Sequence, residues 1–508
     1  MASETQYEAR ADRRIASMLA ICFFLVYLPF SSGHFDSTDE ITVFGTVESI
    51  WERGELALSH GGPHAFRGAD GRRYSHFAIG QAVLKLPFYG IAKIIRQGLP
   101  DTWALALAGP VRLTEAGAIG AGTLEVVTVK LYGPVMSAVL IALFYLYERR
   151  LGVTPRNAFL ASVLLGLTTY VATMSGYVLR HTTETVVILG VLCSIDAYRR
   201  SGRLSALGLG STLTSMLLLV SVPAAIAGPP LGAYLLWVLR VRALSDGGLQ
   251  RAGAVCAIVA LPVLVALGTH LAMNYAVWGM WLDNPMLAQR DHFTTPFYVG
   301  AFGLLLSPGG SIFAYSPLLL LSPWTLHHFW QTHRAECILV LGISAIFLLI
   351  HSVFWSWTGL WSAPGPRYLF VVTPLLLLSL GPWFDGGIGH RDRLLIAALA
   401  GVGALVQISL MSASWTYVMH VMNYKRWAPK MEFMFLPDQS PILASARTVA
   451  AGTCDPWLCR LYEGWPDFDA RPLAVVAVLI VWVFGFAISL WSLHRAYRAH
   501  PLPRFPEE

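Results

Sequence analysis

Asp36, Asp39 and Glu40 stand close together in His34-Phe35-Asp36-Ser37-Thr38-Asp39-Glu40, directly after the first long apolar run. A carboxylate where a membrane helix emerges into water avoids the cost of burial in hydrocarbon, yet stays beside the headgroups of any lipid-borne substrate. There it can accept a proton from an attacking hydroxyl or hold a cation. The competing reading is structural: Asp36 or Asp39 caps a helix running over residues 41–51. Candidate cationic partners are Arg367, in Gly365-Pro366-Arg367-Tyr368, and Arg180, in Arg180-His181-Thr182-Thr183-Glu184. Arginine suits bidentate phosphate recognition, whereas an interfacial arginine also snorkels and an Arg–Glu pair four apart also forms a simple helix salt bridge. Arg72, Arg73, His76 and Lys85 could join a phosphate or acceptor site, or contact lipid headgroups. His34 and His64 near Asp36 leave room for a divalent cation, but their spacing is not compact and no metal ligand set is assigned. Asp283, Asn284, Arg290, Asp291 and His292 form a polar set that is either a sugar contact or a solvated loop. Trp355, Trp357 and Trp361 fit sugar stacking or, with slight preference, an interfacial belt.

The elements that carry these residues are membrane helices. The 508 residues are 55% hydrophobic and 13% charged, with mean hydropathy +0.56. So few charges cannot cover a water-soluble surface, and apolar runs of spanning length recur. A net charge of +6, without a basic stripe carrying interleaved aromatics, fits cytoplasmic anchoring and argues against nucleic-acid binding. Neither a nucleotide phosphate loop nor a Ser-His-Asp signature occurs, which disfavours a nucleotide-sugar or hydrolase mechanism.

The first span is residues 15–30, uncleaved, behind Arg10, Arg13 and Arg14. Later spans are expected at 126–147, 158–176, 182–197, 204–220, 224–238, 252–273, 311–327, 337–354, 368–384, 394–412 and 473–491. That is an all-α polytopic protein of about twelve spans with both ends inside. Arg149, Arg150, Arg156, Arg199, Arg200, Arg203, Arg240, Arg242, Arg251, Arg334, Arg391 and Arg393 then fall in inner loops, and Arg180 and Arg367 outside. The organisation is 1–30, inner terminus and first helix; 31–125, an outer loop with the carboxylates; 126–412, the helix bundle; 413–471, a second long outer loop; and 472–508, the last helix and tail. Residues 77–95 are apolar but interrupted by Lys85, Pro87, Gly90 and Lys93, and read as an interfacial helix because a true span would reverse the charge bias of every later loop. Residues 103–121 form a second element of that outer layer. Cys454 and Cys459 lie outside, where a local disulfide competes with free thiols. Cys22, Cys193, Cys256 and Cys337 read as packing residues.

An uncleaved first helix, the pair Asp39-Glu40, a helix ending in Trp51-Glu-Arg-Gly54, and then Tyr74-Ser-His-Phe-Ala-Ile-Gly-Gln-Ala-Val-Leu-Lys-Leu-Pro-Phe-Tyr89 resemble the GT-C superfamily of integral-membrane glycosyltransferases. The nearest branch is the one holding protein O-mannosyltransferases and aminoarabinose transferases. Arg180-His-Thr-Thr-Glu184 and Gly365-Pro-Arg-Tyr368 also resemble bacterial members. The extra Asp36, and an outer loop over 413–471 unlike the family's soluble C-terminal domains, are departures. The resemblance implies transfer of a sugar from a polyprenyl phosphate to a glycan, lipid or protein acceptor, at the periplasmic or outer face of a bacterial inner (plasma) membrane. Asp39 would then be the general base, with Glu40 or Asp36 orienting the acceptor or holding a cation. Arg367, Arg180 and Lys85 would bind the donor phosphate, and His181, Glu184, Tyr74, His76 and Tyr368 the substrates. No cofactor is certain, though a divalent cation has a place, and membrane lipids are the other partner. A lipid transporter or flippase, and a lipid-linked glycan polymerase or ligase, are the alternatives.

Overall fold

The first helix, Ala2–Tyr27, sits at the centre of the architecture because its apolar stripe has partners on two sides. It packs against Tyr132–Arg150 and against the last helix, Arg471–Arg498. Tyr27 donates its hydroxyl to the Gly166 carbonyl at 2.8 Å, and Trp482 donates its indole N–H to the Leu25 carbonyl at 2.6 Å. Gly166 has no room for a side chain, because a Cβ there would run into Phe23 and Ile141. This computed structural model describes residues 2–59, 64–100, 113–114, 117–118, 123–246, 252–282, 292–422, 432–457, 459 and 471–498.

The protein is an all-α integral membrane protein. Among the described residues, seven helices are long and apolar enough to cross a bilayer: Glu8–Phe30, Leu124–Arg150, Val222–Arg242, Gly253–Trp278, Arg334–Val353, His390–Ser412 and Leu479–Ala496. Gly253–Trp278 is buried over only 6% of its apolar window, so its leucines and valines face the lipid. Cys256 is therefore exposed, and is not the packing residue expected from the sequence, whereas Cys22 and Cys337 are buried.

Several expected spans are broken helices. Residues 158–176 divide into Pro155–Thr168 and Tyr170–Ser175, because Thr169 leaves the helical region and its hydroxyl caps the second piece. Residues 311–327 divide at Ser316-Pro317, and 368–384 into Arg367–Leu369, Val372–Leu377 and Leu380–Asp385. Prolines 317, 374 and 382 lack the N–H that would continue each ladder. Broken backbone at membrane depth is tolerated where protein surrounds it, and Leu318, Leu319, Leu375 and Leu377 are buried.

The apolar stretch 77–95 is two helices, Gly80–Val83 and Leu86–Gly98. Thirteen helical residues rise about 20 Å, short of the ~30 Å hydrocarbon core. Tyr89, Gly90 and Ala92 face inward while Ile91 and Ile94 are exposed, as on a helix lying along an interface.

At the other end of the bundle Asp196 holds Arg150, Arg199 and Arg200 at 2.8–3.2 Å. Arg199 also pairs with Glu336 at 2.8 Å. The helix Arg180–Ser201 joins this cluster to Arg180, and its 22 residues rise about 33 Å, one bilayer core.

Candidate active site

Helix Thr38–Arg53 starts at Ser37, whose side chain accepts from the Glu40 N–H at 3.3 Å. Ser37 is thus the N-cap; Asp36 and Asp39, the expected caps, are left for other work. Glu40 completes the start of the helix by accepting from the Asp36 N–H at 2.9 Å through Oε2. Its Oε1 accepts from the Val178 N–H at 2.9 Å and from Lys130 Nζ at 3.3 Å. Glu40 is 1% exposed and Lys130 fully buried. With both oxygens engaged, Glu40 ties the helix start to Leu124–Lys130 and to the turn before Arg180.

Asp39 points the other way. Its Oδ2 accepts from the Ser362 hydroxyl at 2.6 Å and from Arg367 Nη1 at 3.0 Å. His64 Nε2 lies 3.2 Å from Oδ1. A short antiparallel hairpin, Ala65–Arg67 with Arg73–Ser75, delivers that histidine. Ala65 pairs with Ser75, so His64 and His76 flank the open end of the ladder with ring centroids 5.3 Å apart. Burial works against ionisation of Asp39, but Arg367, His64 and the Ser362 and Arg367 hydrogen bonds outweigh it and hold the carboxyl at about 2. Burial holds His76 down at about 4, leaving its ring neutral at physiological pH.

Arg367 lies in a turn that closes around glycines. Gly359 and Gly365 adopt φ of 68° and 87°, the left-handed region that glycine enters without strain. Arg367 is 6% exposed, and its Nη2 donates to the Tyr368 hydroxyl at 3.3 Å. Tyr368 stacks on His351, with centroids 4.9 Å apart at 11°, and meets the edge of His181 at 5.8 Å. This packing fixes the guanidinium facing Asp39. Arg180 Nε lies 3.0 Å from Glu184 Oε1 but outside hydrogen-bonding geometry, while His181 Nδ1 is 3.3 Å from Glu184 Oε2.

Asp39, Glu40, Arg180, His181 and Arg367 line one small cleft, with Val43, Phe77, Gln81, Val178 and Leu179 as its apolar and amide walls. A carboxylate and two guanidiniums in one cleft can bind an anionic group beside a proton acceptor.

The remaining sequence candidates sit elsewhere. Lys85 does not line the cleft: it is 2% exposed, donates to the Gln81 carbonyl at 3.0 Å, and lies over the Tyr132 ring. Burial pulls it down to about 7. Tyr74 is held in the hairpin by its 2.7 Å bond to Asp70, while Glu184 stands behind His181 and Arg180. Trp357 is buried, and Trp355 and Trp361 are exposed. Asp283, Asn284, Arg290 and Asp291, and most of residues 103–121, lie outside the described residues. Cys454 and Cys459 form a disulfide.

Sequence reasoning missed Ser362, the pairing of His64 with Asp39, and Lys130. A lysine inside the apolar run 126–147 was itself a signal, since ionisable residues there are functional by default. Ser362 carried none, because it meets Asp39 only across 323 residues of chain; His64 was singled out, but for a cation and not for Asp39.

No protein-family model matches the chain, and no curated protein matches it. Three solved structures are similar. ArnT from Cupriavidus metallidurans, bound to undecaprenyl phosphate, is 14% identical with TM-score 0.49, covering 89% of this chain and 77% of that one. The Archaeoglobus fulgidus oligosaccharyltransferase in the apo form is 12% identical with TM-score 0.43, over 91% of this chain and 58% of that one. Oligosaccharyltransferase AglB of the same organism, in complex with an inhibitory peptide and a dolichol-phosphate, is 12% identical with TM-score 0.34, over 95% and 56%. This chain therefore spans less than two thirds of the archaeal proteins. All three belong to the GT-C superfamily of membrane glycosyltransferases, the superfamily that this sequence resembles.

Proposed function

We propose that the protein transfers a sugar from a polyprenyl-phosphate carrier to an acceptor hydroxyl at the outer face of the membrane. The observation that carries this reading is the meeting of Asp39 with Arg367, 328 residues later in the chain, in the cleft that Arg180 also lines. The acceptor oxygen attacks the anomeric carbon, the bond from that carbon to the phosphate oxygen breaks, and the acceptor proton passes to Asp39. The carrier leaves as a phosphate, which needs little protonation, so one carboxylate suffices. In this reading Arg367 and Arg180 take the charge that grows on the leaving oxygen.

A carboxyl held at about 2 is a weak proton acceptor. The pair with Arg367 supplies the remedy. A donor phosphate competes for the same guanidinium, and drawing Arg367 away removes the charge that most lowers Asp39. Donor binding thereby raises the basicity of Asp39 at the moment a base is needed. The outward placement rests on the arginine-rich cluster around Asp196 at the opposite end of helix Arg180–Ser201.

The test is donor consumption by purified protein offered a panel of radiolabelled polyprenyl-phosphate sugars. Wild type should consume one of them, and Asp39→Asn should lower turnover by about 10²–10⁴, the usual weight of a positioned base, while still binding donor. Equal turnover by Asp39→Asn removes Asp39 as the base, and failure to bind any donor removes the transferase reading.

A further inference from the structure

Beside the cleft, the last outer segment is fastened to the loop that precedes Asp39. The Trp457 N–H donates to the Ser31 carbonyl at 2.8 Å and Thr416 Oγ1 to the Asp36 carbonyl at 3.4 Å, while the Asp455 N–H holds the segment to the Ser412 carbonyl at the end of helix His390–Ser412 at 3.0 Å. At the centre of this seam three ligand-type groups from positions more than 400 residues apart converge, with His34 Nε2 lying 3.0 Å from Asp455 Oδ1 and 3.1 Å from Oδ2. One donor atom from each of His34, Asp36 and Asp455 falls within 4.8 Å of the others.

Two further features point to a cation. The Asp36 side chain is 5% exposed, and its Oδ1, sealed from solvent, has no hydrogen-bond partner among the described residues. That oxygen is the one turned toward His34, 3.9 Å from Nδ1, while Oδ2 faces Lys130 at 3.7 Å. The second feature is the ring of His34. Its Nδ1 lies 3.1 Å from the Phe35 carbonyl, so an Nδ1–H donor leaves the Nε2 lone pair aimed at the Asp455 carboxylate. Metal-bound histidines are held this way, the far N–H donating to a backbone carbonyl. Ligand bonds of 2.0–2.2 Å at tetrahedral to octahedral angles separate neighbouring donor atoms by about 3.0–3.4 Å, the range seen between His34 and Asp455. Asp36 offers the third ligand, with an atom within 4.8 Å of one from each of the other two.

We propose that His34 Nε2, Asp36 Oδ1 and the Asp455 carboxylate bind one divalent first-row transition ion, of the Zn²⁺ or Mn²⁺ kind. One imidazole with two carboxylates suits these ions better than Mg²⁺ or Ca²⁺, which prefer all-oxygen sets. The ion staples the disulfide-bearing segment to the start of the Asp39 helix and sets how firmly that helix start is held. It is separate from the cleft carboxylate, whose oxygens face Ser362, Arg367 and His64.

The experiment uses the full chain in detergent, stripped with chelator, then equilibrated with Zn²⁺, Mn²⁺ or Mg²⁺ singly. Bound metal is counted by mass spectrometry and Tm is followed across the titration. Wild type should take up one Zn²⁺ or Mn²⁺ per chain and rise in Tm as the site fills, with Mg²⁺ ineffective. His34→Gln and Asp455→Asn should each weaken uptake by about tenfold or more, and Asp39→Asn should leave it unchanged. Absence of stoichiometric uptake by wild type overturns the proposal, as does equal uptake by His34→Gln. Loss of the ion in Asp39→Asn with retention in His34→Gln also overturns it, placing the metal on the cleft carboxylate instead. Should Asp455→Asn fail to fold, wild type, His34→Gln and Asp39→Asn still decide between these outcomes.

Discussion

Neighbouring carboxylates in this chain do opposite jobs because their surroundings differ. Glu40 spends both oxygens on Asp36, Val178 and Lys130, whereas Asp39 faces the cleft with Arg367 and Ser362 on one oxygen and His64 beside the other. The folded carboxyl of Asp39, near 2, lies below the unfolded value of about 3.9. Its contribution to stability is therefore complete above about pH 4 and is lost as pH falls through about 2. Arg367→Ala removes the charge that most opposes protonation, so the acid limb of kcat/KM should move from about 2 up to at least the ordinary carboxylate range near 4. Donor affinity should fall by roughly 10–100-fold with loss of a charged hydrogen bond. An unshifted acid limb separates Arg367 from the proton equilibrium of Asp39. Lys85 gives the inverse case. Its folded value near 7 lies below the unfolded value of about 10.4, so the folded state sheds a proton that the unfolded chain keeps, and stability rises with pH between the two. Lys85→Met should raise Tm at pH 6 by more than at pH 9, and an equal shift at both would show a lysine in contact with water.

Among the elements, the short hairpin of Ala65–Arg67 with Arg73–Ser75 brings His64 beside Asp39. Its turn is held by the Gly68 N–H donating to the Arg72 carbonyl at 2.8 Å, and by the Ala69 N–H reaching the Val277 carbonyl at 2.9 Å. A side chain at Gly68 has nowhere to go: its Cβ would come within 2.6 Å of the Val277 carbonyl and 2.7 Å of the Tyr74 ring. Gly68→Val should displace the hairpin and withdraw His64 from Asp39, lowering turnover to about the level of His64→Ala. Because the hairpin lies outside the bundle core, Tm should move far less than the ~1–3 kcal/mol of an overpacked core would cause. A large Tm loss would mean that the hairpin is structural and its histidine incidental. Beside the Cys454–Cys459 disulfide, the Trp457 N–H bond to the Ser31 carbonyl fastens the segment after the bundle to the loop that precedes Asp39.

For the molecule as a whole, the helices carry the cleft at one membrane face and an arginine-rich cluster at the other. Ala69 and Ser201 are exposed at these opposite ends. In a Cys256→Ala background, a membrane-impermeant thiol reagent applied to intact cells should label Ala69→Cys and spare Ser201→Cys until the membrane is opened. The reverse pattern would turn the site toward the cytoplasm and remove the proposed access to an outer-leaflet donor.

Composition and hydropathy by themselves determined the class, because a chain this poor in charge cannot be solvated and must place its apolar runs in lipid. Local order also singled out the carboxylates Asp36, Asp39 and Glu40 after the first span and Arg367 after Gly-Pro; the choice of Asp39 among the three came from the resemblance to the GT-C superfamily. Periodicity overcounted continuous spans where Thr169, Pro317, Pro374 and Pro382 interrupt them, because hydropathy averages over a break in the hydrogen-bond ladder. Tertiary structure alone decided that Glu40 is sequestered while Asp39 is presented, that Lys85 is sealed behind the cleft, that Ser362 and His64 lie against Asp39, and that Asp455 meets His34. Those outcomes depend on segments hundreds of residues apart coming within 3 Å, as His34 and Asp455 do. Such a distance is set by how the helices pack, and no local pattern encodes it.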